Sequence, residues 1–239
     1  MALSLYDPAV DALLRIGGEG RPPFPSPADW RDQWIYFLLV DRFANPDGPP
    51  QSADPYNGYQ GGTFAGIKQQ MAYLRGLGAG ALWLSPVLMN PPWFQDYWGG
   101  YGVMDFMRID PRFCAEPARA AADPAAADRE FRDLVDAAHA HGMYVILDIV
   151  LNHTGDLFDY EGARAAAPWN AEREYTIYWR DPSGRARSEW TDIQAVEVPR
   201  QAGIWPAELQ RNDYFRRRGT HDGSGGITRG DFDRLKELV

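Results

Sequence analysis

Three short apolar runs in the N-terminal part of the chain predict buried β-strands. They cover residues 34–40, 81–84 and 143–150 and are rich in aromatic and β-branched side chains. Runs of this length without polar alternation are typical of strands buried on both faces of a parallel sheet. A polar residue stands at or near the end of each run: Asp41, Ser85 and Asp148.

Two amphipathic segments lie between these runs and predict helices. In the first, Thr63 can cap a helix with one apolar stripe, and Gly78 ends it. The positions of that stripe are Ile67, Met71, Leu74 and Leu77. The second stripe, which ends before Gly142, consists of Phe131, Leu134, Val135 and Ala138. Uniformly apolar strands that alternate with amphipathic helices predict an α/β fold with a parallel sheet and right-handed crossovers.

Two α/β architectures share this alternation, an open doubly wound sheet and a closed eight-stranded barrel. The open sheet normally has a glycine-rich phosphate loop after its first strand, whereas Asp41-Arg42-Phe43 stands there in this chain. The pattern therefore favours a (β/α)8 TIM barrel. In such a barrel the active site lies at the C-terminal ends of the strands, where Asp41, Ser85 and Asp148 are expected.

Composition and charge narrow the choice of compartment and partner. The single Cys114 cannot form an internal disulfide, and the N-terminus lacks the basic start and apolar stretch of a secretory signal, so we expect a cytoplasmic protein. No run approaches the roughly 18 apolar residues of a membrane span. The formal net charge of -9 disfavours nucleic acid or an anionic membrane as a partner. The four histidines show no zinc-type spacing.

A motif follows the third predicted strand. Residues 148–154, Asp-Ile-Val-Leu-Asn-His-Thr, resemble the Asp-x-Val-x-Asn-His motif of glycoside hydrolase family 13, the alpha-amylase family. Three other stretches, 36–43, 61–67 and 100–106, agree with this family in order and spacing. The resemblance covers roughly residues 34–239. It implies a retaining enzyme that acts on alpha-glucosidic bonds of oligo- or polysaccharides, by hydrolysis or transglycosylation.

The same resemblance implies a domain organisation. Residues 1–33 are expected to form an N-terminal extension, and residues 34–154 the first three strand-helix units of the barrel. Residues 155–230 hold few apolar runs and match a B-domain-like insertion after the third strand. Residues 231–239 then match the return to the barrel. The expected fold is thus a partial (β/α)8 barrel with one insertion.

Polar residues at the end of an apolar strand are costly to desolvate unless they have a partner. The resemblance implies that His153 donates to a sugar hydroxyl beside the cleaved bond and that Asp148 organises the floor of the site. It also implies that Asn152 ligates a structural calcium ion, for which an amide oxygen is a suitable ligand. The structural alternative is that Asp148 only accepts backbone hydrogen bonds and His153 only caps a loop.

An aromatic loop over residues 91–101 supplies further candidates for sugar binding. Many family members carry Tyr-His-Gly-Tyr here, whereas this chain has Trp98-Gly99-Gly100-Tyr101, which puts Trp98 in the position that stacks on the sugar. Tyr101 and Asp105 are the other substrate-binding residues that the resemblance implies. For any one of Trp93, Phe94 and Trp98, closing the top of the barrel is an equally good interpretation.

The catalytic carboxylates are not expected among these 239 residues. The family takes its nucleophile and its acid/base from later strands, and no Arg-x-Asp in a strand context follows His153. We therefore expect an N-terminal fragment of the catalytic domain that is inactive alone, with both groups beyond Val239. A barrel sheet interrupted after three strands has an unpaired apolar edge, so poor solubility or recruitment of a partner is expected. The oligomeric state stays open.

Two other functions remain open. One is a non-catalytic amylase-like module that binds carbohydrate or docks on a partner, which predicts oligosaccharide binding without turnover. The other is a barrel enzyme for phosphorylated substrates, against which the missing phosphate loop and the negative charge argue.

Overall fold

A parallel sheet and two hydrophobic cores organise the chain. The computed structural model describes residues 4–8, 24–46, 48, 58–93, 99–221 and 230–239. The strands are β1 (Ile35–Leu38), β2 (Ala81–Leu84), β3 (Leu88–Met89), β4 (Asp105–Ile109), β5 (Tyr144–Leu147), β6 (His153–Thr154), β7 (Phe158–Tyr160), β8 (Ile177–Trp179) and β9 (Lys236–Glu237). The α-helices are α1 (Val40–Phe43), α2 (Phe64–Gln69), α3 (Met71–Gly76), α4 (Pro117–Ala122) and α5 (Pro124–Ala140). Short 3-10 helices cover Trp30–Asp32, Pro111–Phe113, Ile193–Ala195, Ala207–Leu209 and Asn212–Tyr214.

The sheet confirms the predicted alternation of strand, helix and strand. Strands β1, β2 and β5 pair in parallel in that order, with Phe37 opposite Trp83 and Trp83 opposite Ile146. Helices α1 to α3 connect β1 to β2, and α4 and α5 precede β5. Two strands are shorter than their apolar runs, because Val40 begins α1 and Asp148 follows the end of β5.

The helix predicted after the first strand is two helices. Thr63 caps α2 as predicted, because its Oγ1 accepts a 3.1 Å hydrogen bond from the Gly66 N–H. Gln70, with φ -99° and ψ 8°, interrupts the helix between α2 and α3. The predicted apolar stripe continues across this break and buries Ile67, Met71 and Leu74.

One face of the sheet is covered and the other is open. Leu38, Leu82 and Leu84 are buried in the core that the sheet shares with the helices. On the opposite face Phe37 is 44% exposed and Trp83 is 41% exposed, with ring centroids 5.1 Å apart. The prediction that these strands are buried on both faces is therefore wrong for the described chain, because the described helices pack on one side of the sheet.

The residues after His153 build a second core. The rings of Phe158, Trp179 and Phe215 pack edge to face with centroids 5.3 to 5.5 Å apart. Strands β7 and β8 form an antiparallel pair within this core, and β9 returns to pair antiparallel with β6. The described part of this region has short strands, bridges and 3-10 helices, as its low content of apolar runs predicts. Among the described residues no helix has the length and apolar character to span a membrane.

Candidate functional site

The carboxyl ends of the three parallel strands meet at one place. The Ser85 N–H donates to the Leu38 carbonyl at 3.0 Å, and the Asp148 N–H donates to the Leu84 carbonyl at 3.0 Å. The Ser85 Oγ in turn accepts a 3.0 Å bond from the Val40 N–H. This confirms that Ser85 and Asp148 converge at the strand ends. Asp41 is fully buried in α1, where it forms a 2.5 Å ion pair with Arg42.

Three of the predicted substrate-binding residues form one constellation beside Ser85. The Tyr101 hydroxyl donates to Oδ2 of Asp148 at 2.9 Å, and Nε2 of His153 lies 3.1 Å from the Tyr101 carbonyl oxygen. All three side chains are partly buried, so each keeps some surface open to solvent. A carboxylate, an imidazole and an aromatic ring at the end of a parallel sheet offer the polar contacts and the flat face that sugar recognition uses.

The protonation state of His153 follows from its two neighbours. A carbonyl oxygen only accepts, so Nε2 carries the proton that is donated to Tyr101. Nδ1 then accepts, and the Asn152 side-chain amide lies 3.4 Å from it. Burial lowers the pKa of His153 below its usual range, whereas the Tyr101 hydrogen bond and the negative charge of Asp231 raise it. Because burial is the largest of these effects, the imidazole is neutral at neutral pH.

The sequence left open that His153 only caps a loop, and its contact with the Tyr101 backbone fits that alternative. This contact takes up the Nε2 proton of His153. The predicted donation from His153 to a sugar hydroxyl stays a prediction. Burial also raises the pKa of Tyr101 to about 12, with the Asp148 hydrogen bond and charge adding to the effect. The tyrosine hydroxyl is therefore a fixed donor to Asp148 throughout the physiological range of pH.

Asn90 positions Tyr101, a role that was not predicted from the sequence. Its side-chain amide donates to the Gly100 carbonyl at 3.0 Å, and its Oδ1 accepts from the Gly102 N–H at 2.8 Å. Asn90 is buried, with an exposed fraction of 1%. It thus holds both peptide groups that flank Tyr101. An asparagine between an apolar run and two prolines indicates only a turn, so the sequence gives no signal for this longer-range role.

Gly100 lets the loop approach the end of β2. Its φ is +97°, and a Cβ added there would lie 2.0 Å from the Pro86 carbonyl oxygen. Any side chain at this position would therefore push the loop away from the strand end and move Tyr101 with it.

The other predicted substrate contacts lie elsewhere. Asp105 is fully buried at the start of β4 and forms a 2.6 Å ion pair with Arg200. The guanidinium of Arg200 also lies 4.6 Å from the ring centroid of Trp205. Asp105 therefore has a partner within the chain, and its contact with sugar stays a prediction. Trp98 falls outside the described residues.

The described residues around Asn152 give no support to its predicted calcium role. Its side chain is exposed, and the described residues contain no group of three or more His, Cys, Asp or Glu side chains that could hold a metal ion. The nearby Asp156 and Asp231 form ion pairs with basic side chains of the chain itself. The predicted calcium role of Asn152 therefore stays a prediction, and the neighbouring carboxylates give it no support.

Comparison with known proteins relates the chain to one family. Residues 37–222 match the family model described as the alpha amylase catalytic domain. Alpha-amylase mde5 of Schizosaccharomyces pombe is 35% identical over 129 residues, which make up 53% of this chain and 23% of that protein. Alpha-amylase SusG of Bacteroides thetaiotaomicron is 29% identical over 199 residues, or 82% of this chain and 24% of that protein.

The same similarity is found among solved structures. The crystal structure of the alpha-amylase from Geobacillus thermoleovorans, complexed with acarbose, superimposes with a TM-score of 0.43 and 35% sequence identity. The match covers 53% of this chain and 24% of that one. The chain thus spans about a quarter of the length of these relatives.

Proposed function

The chain belongs to the alpha-amylase family, and from this premise we propose that the whole protein acts on alpha-glucosidic bonds of oligo- or polysaccharides, with this chain supplying part of its sugar-binding site. Tyr101, Asp148 and His153 contact the sugar beside the bond that is cleaved or transferred. The reaction proceeds by a retaining double displacement, which needs two carboxyl groups about 5 to 5.5 Å apart. A cytoplasmic location belongs to the same proposal.

One observation carries the substrate assignment. Tyr101 contacts both other residues near the carboxyl end of β5: its hydroxyl donates to Asp148 at 2.9 Å, and its backbone carbonyl oxygen lies 3.1 Å from Nε2 of His153. Oδ2 of Asp148 is oriented by that bond, which leaves Oδ1 of the same carboxylate available to a sugar hydroxyl. Hydrogen-bonding groups held in place before binding give affinity and specificity without further ordering. Neutral, hydroxyl-rich ligands also suit a chain of net charge -9.

The open face of the sheet supports a proposal on architecture. Phe37, Trp83 and Ile146 stand in one row across β1, β2 and β5. Inward-facing side chains of a TIM barrel form such rows and are covered by the remaining strands. The three strands are therefore the first part of a (β/α)8 barrel, and residues 155–230 are an insertion that carries its own aromatic core.

In this proposal the 239 residues bind sugar without cleaving it. Asp41 and Asp105, two of the carboxylates at family positions, are fully buried and paired with Arg42 and Arg200. They have no exposed oxygen for attack on a sugar carbon. The same observation favours, as a second candidate, a non-catalytic module whose whole protein binds oligosaccharide without turnover.

Isothermal titration calorimetry with two oligosaccharides tests the proposal. The purified protein is titrated with maltopentaose, which is alpha-linked, and with cellopentaose, which has the same sugar units joined by beta bonds. We expect heat of binding with maltopentaose only. Similar binding of both sugars, or of neither, would contradict the assignment to alpha-glucans.

Two histidine variants provide the matched control. His141 also bonds a backbone carbonyl, at 2.8 Å from Ala137, but it is exposed at the end of α5. We expect His153→Ala to weaken maltopentaose binding roughly fivefold to tenfold, because the Tyr101 carbonyl loses one hydrogen bond that holds the sugar site in place, while His141→Ala leaves binding unchanged. Release of reducing ends from maltopentaose by the purified chain would show that it contains a catalytic pair after all.

A further inference from the structure

Lys236 is a buried lysine in a chain whose basic residues are almost all arginines. The sequence has 22 arginines and two lysines, Lys68 and Lys236. Lys68 is exposed, whereas Lys236 in β9 is fully buried. A buried ammonium ion is costly unless its charge and all of its protons find partners. The groups around Lys236 therefore have to replace the hydrogen bonds that water would make to the ammonium ion.

Oxygen atoms and aromatic faces surround the ammonium group. The Lys236 Nζ donates to the carbonyl oxygen of Ala165 and to Oδ2 of Asp231 at 3.2 Å, and Oδ1 of Asp156 lies 4.0 Å away. The same Nζ is 4.9 Å from the ring centroid of Phe158 and 4.8 Å from that of Tyr160. Oxygen acceptors together with aromatic faces are the environment in which proteins bind ammonium ions.

The described residues around Lys236 include carboxylates and cations in equal number. The carboxylates are Asp156, Asp159, Asp231 and Glu237, and the cations are Arg180, Arg216, Arg234 and Lys236. Among the described residues these four carboxylates and four cations cancel in charge. In this set Lys236 is the only cation with no exposed side-chain surface. An ammonium group is a compact point charge, unlike the planar guanidinium of arginine, so it fits where an arginine side chain does not.

We propose that the Lys236 ammonium neutralises the buried carboxylate of Asp231, in a site whose oxygen atoms and aromatic rings suit an ammonium ion. We further propose that Lys236 thereby fixes the position of His153. The ammonium joins two elements. Through Asp231, Ala165 and the two rings it is held by the second core, and through its backbone it lies in β9.

The pairing of β9 with β6 links the position of Lys236 to that of His153. Lys236 stands opposite Thr154 and Glu237 stands opposite His153 in the β6–β9 pair. The Leu238 N–H, one residue further along, donates to the Asn152 carbonyl at 2.9 Å. Loss of the ammonium charge would leave Asp231 buried beside Tyr160 without its cation, and β9 would loosen from β6. His153 would then lose its fixed orientation. This last step rests on the proposed function of His153.

Two substitutions separate charge from volume. Lys236→Met keeps the apolar stem and removes the charge, and Lys236→Ala removes three carbons and the ammonium group. We expect either variant to lower the melting temperature of the protein by roughly 10 °C. Lys68→Ala is the matched control and should leave the melting temperature unchanged.

Chemical rescue tests whether the site binds a cation. Propylammonium has the atoms that Lys236→Ala removes, and propanol is its neutral counterpart. Propylammonium should raise the melting temperature of Lys236→Ala by several degrees and should not raise that of the parent protein or of Lys68→Ala. Propanol should raise none of them. The imidazole signal of His153 in an NMR spectrum, assigned with His153→Gln, should shift in Lys236→Ala and move back with propylammonium.

These measurements do not involve sugar, so their outcome is independent of whether the proposed function is correct. A Lys236→Met variant that melts within about 2 °C of the parent would overturn the proposal. An equal effect of propylammonium on the parent and on Lys236→Ala would also overturn it. If the rescue succeeds and His153 is restored, but maltopentaose does not bind, the internal cation is supported and the sugar assignment fails.

Discussion

The Tyr101 hydroxyl donates a 2.9 Å hydrogen bond to Oδ2 of Asp148, across 47 residues of sequence. This bond joins the aromatic loop to the end of β5 and orients the carboxylate that is proposed to bind sugar. Because burial and Asp148 raise the pKa of Tyr101 to about 12, the hydroxyl keeps its proton under all ordinary conditions. The arrangement of Tyr101 and the Asp148 carboxylate is therefore set before a ligand arrives.

Removing that hydroxyl should weaken sugar binding and lower stability by similar free energies. We expect Tyr101→Phe to lower the free energy of unfolding by about 1 kcal/mol and to weaken maltopentaose binding about fivefold. Tyr175→Phe is a suitable control, since the Tyr175 hydroxyl donates to the Pro168 carbonyl at 2.9 Å within the second core region. Urea unfolding and calorimetry measure the two effects. Equal binding by the two variants would show that the Tyr101 hydroxyl does not position the site.

A single methyl group at Gly100 should displace Tyr101. Gly100 and Gly142 both have positive φ, of +97° and +69°, so alanine is strained at either position. Only at Gly100 does the new Cβ meet backbone, 2.0 Å from the Pro86 oxygen, whereas nothing lies within 4 Å at Gly142. We expect Gly142→Ala to cost about 1 kcal/mol with normal sugar binding. Gly100→Ala should cost more and abolish the binding, and a Gly100→Ala variant that binds normally would disprove the role given to this contact.

The sequence predicted the elements that local patterning determines. The three strands, the Thr63 cap and the convergence of Ser85 with Asp148 follow from apolar runs, capping chemistry and the geometry of parallel strands. Their placement needs no knowledge of distant contacts. The break in the helix at Gln70 was not predicted. The apolar positions keep their helical spacing across it, so the spacing alone does not reveal one residue with a non-helical backbone.

The parts that were missed depend on residues far apart in the chain. Asn90 holds the peptide groups around Tyr101, and Arg200 neutralises Asp105 from a separate segment. A single sequence contains the residue types for these bonds but not their pairing. The open face with Phe37 and Trp83 was also missed, since an apolar strand has the same sequence whether its second face is covered or not.

The open face of the sheet should control the solubility of the purified chain. Phe37 and Trp83 form an exposed aromatic pair, and exposed apolar patches of this kind promote association. We expect Phe37→Thr combined with Trp83→Thr to increase the soluble fraction and to reduce binding of an apolar dye such as ANS. Leu82→Thr, on the buried face, should instead cost roughly 3 kcal/mol and decrease solubility. Unchanged dye binding in the double variant would mean that this face is already covered, for example in an oligomer.

The stability of the protein should fall in mild acid because of His153. Burial lowers the pKa of this imidazole in the folded state, whereas an unfolded histidine titrates near about 6.5. Above that pH the imidazole is neutral in both states and the contribution to stability is complete. As the pH falls from about 6.5 towards the lowered pKa, the unfolded chain binds the proton first, and stability is lost at no more than about 1.4 kcal/mol per pH unit. The loss is complete once the pH is below the folded pKa.

Urea unfolding at pH 7.5, 6.5 and 5.5 measures this dependence in the parent, in His153→Gln and in His141→Gln. Glutamine keeps a donor for the Tyr101 carbonyl and does not titrate, so the His153→Gln profile isolates the contribution of the imidazole proton. The parent and His141→Gln should lose stability together relative to His153→Gln as the pH falls. Parallel profiles for all three proteins would mean that His153 is as well solvated in the folded protein as in the unfolded chain. That result would remove the physical basis for a neutral, preoriented imidazole at the sugar site.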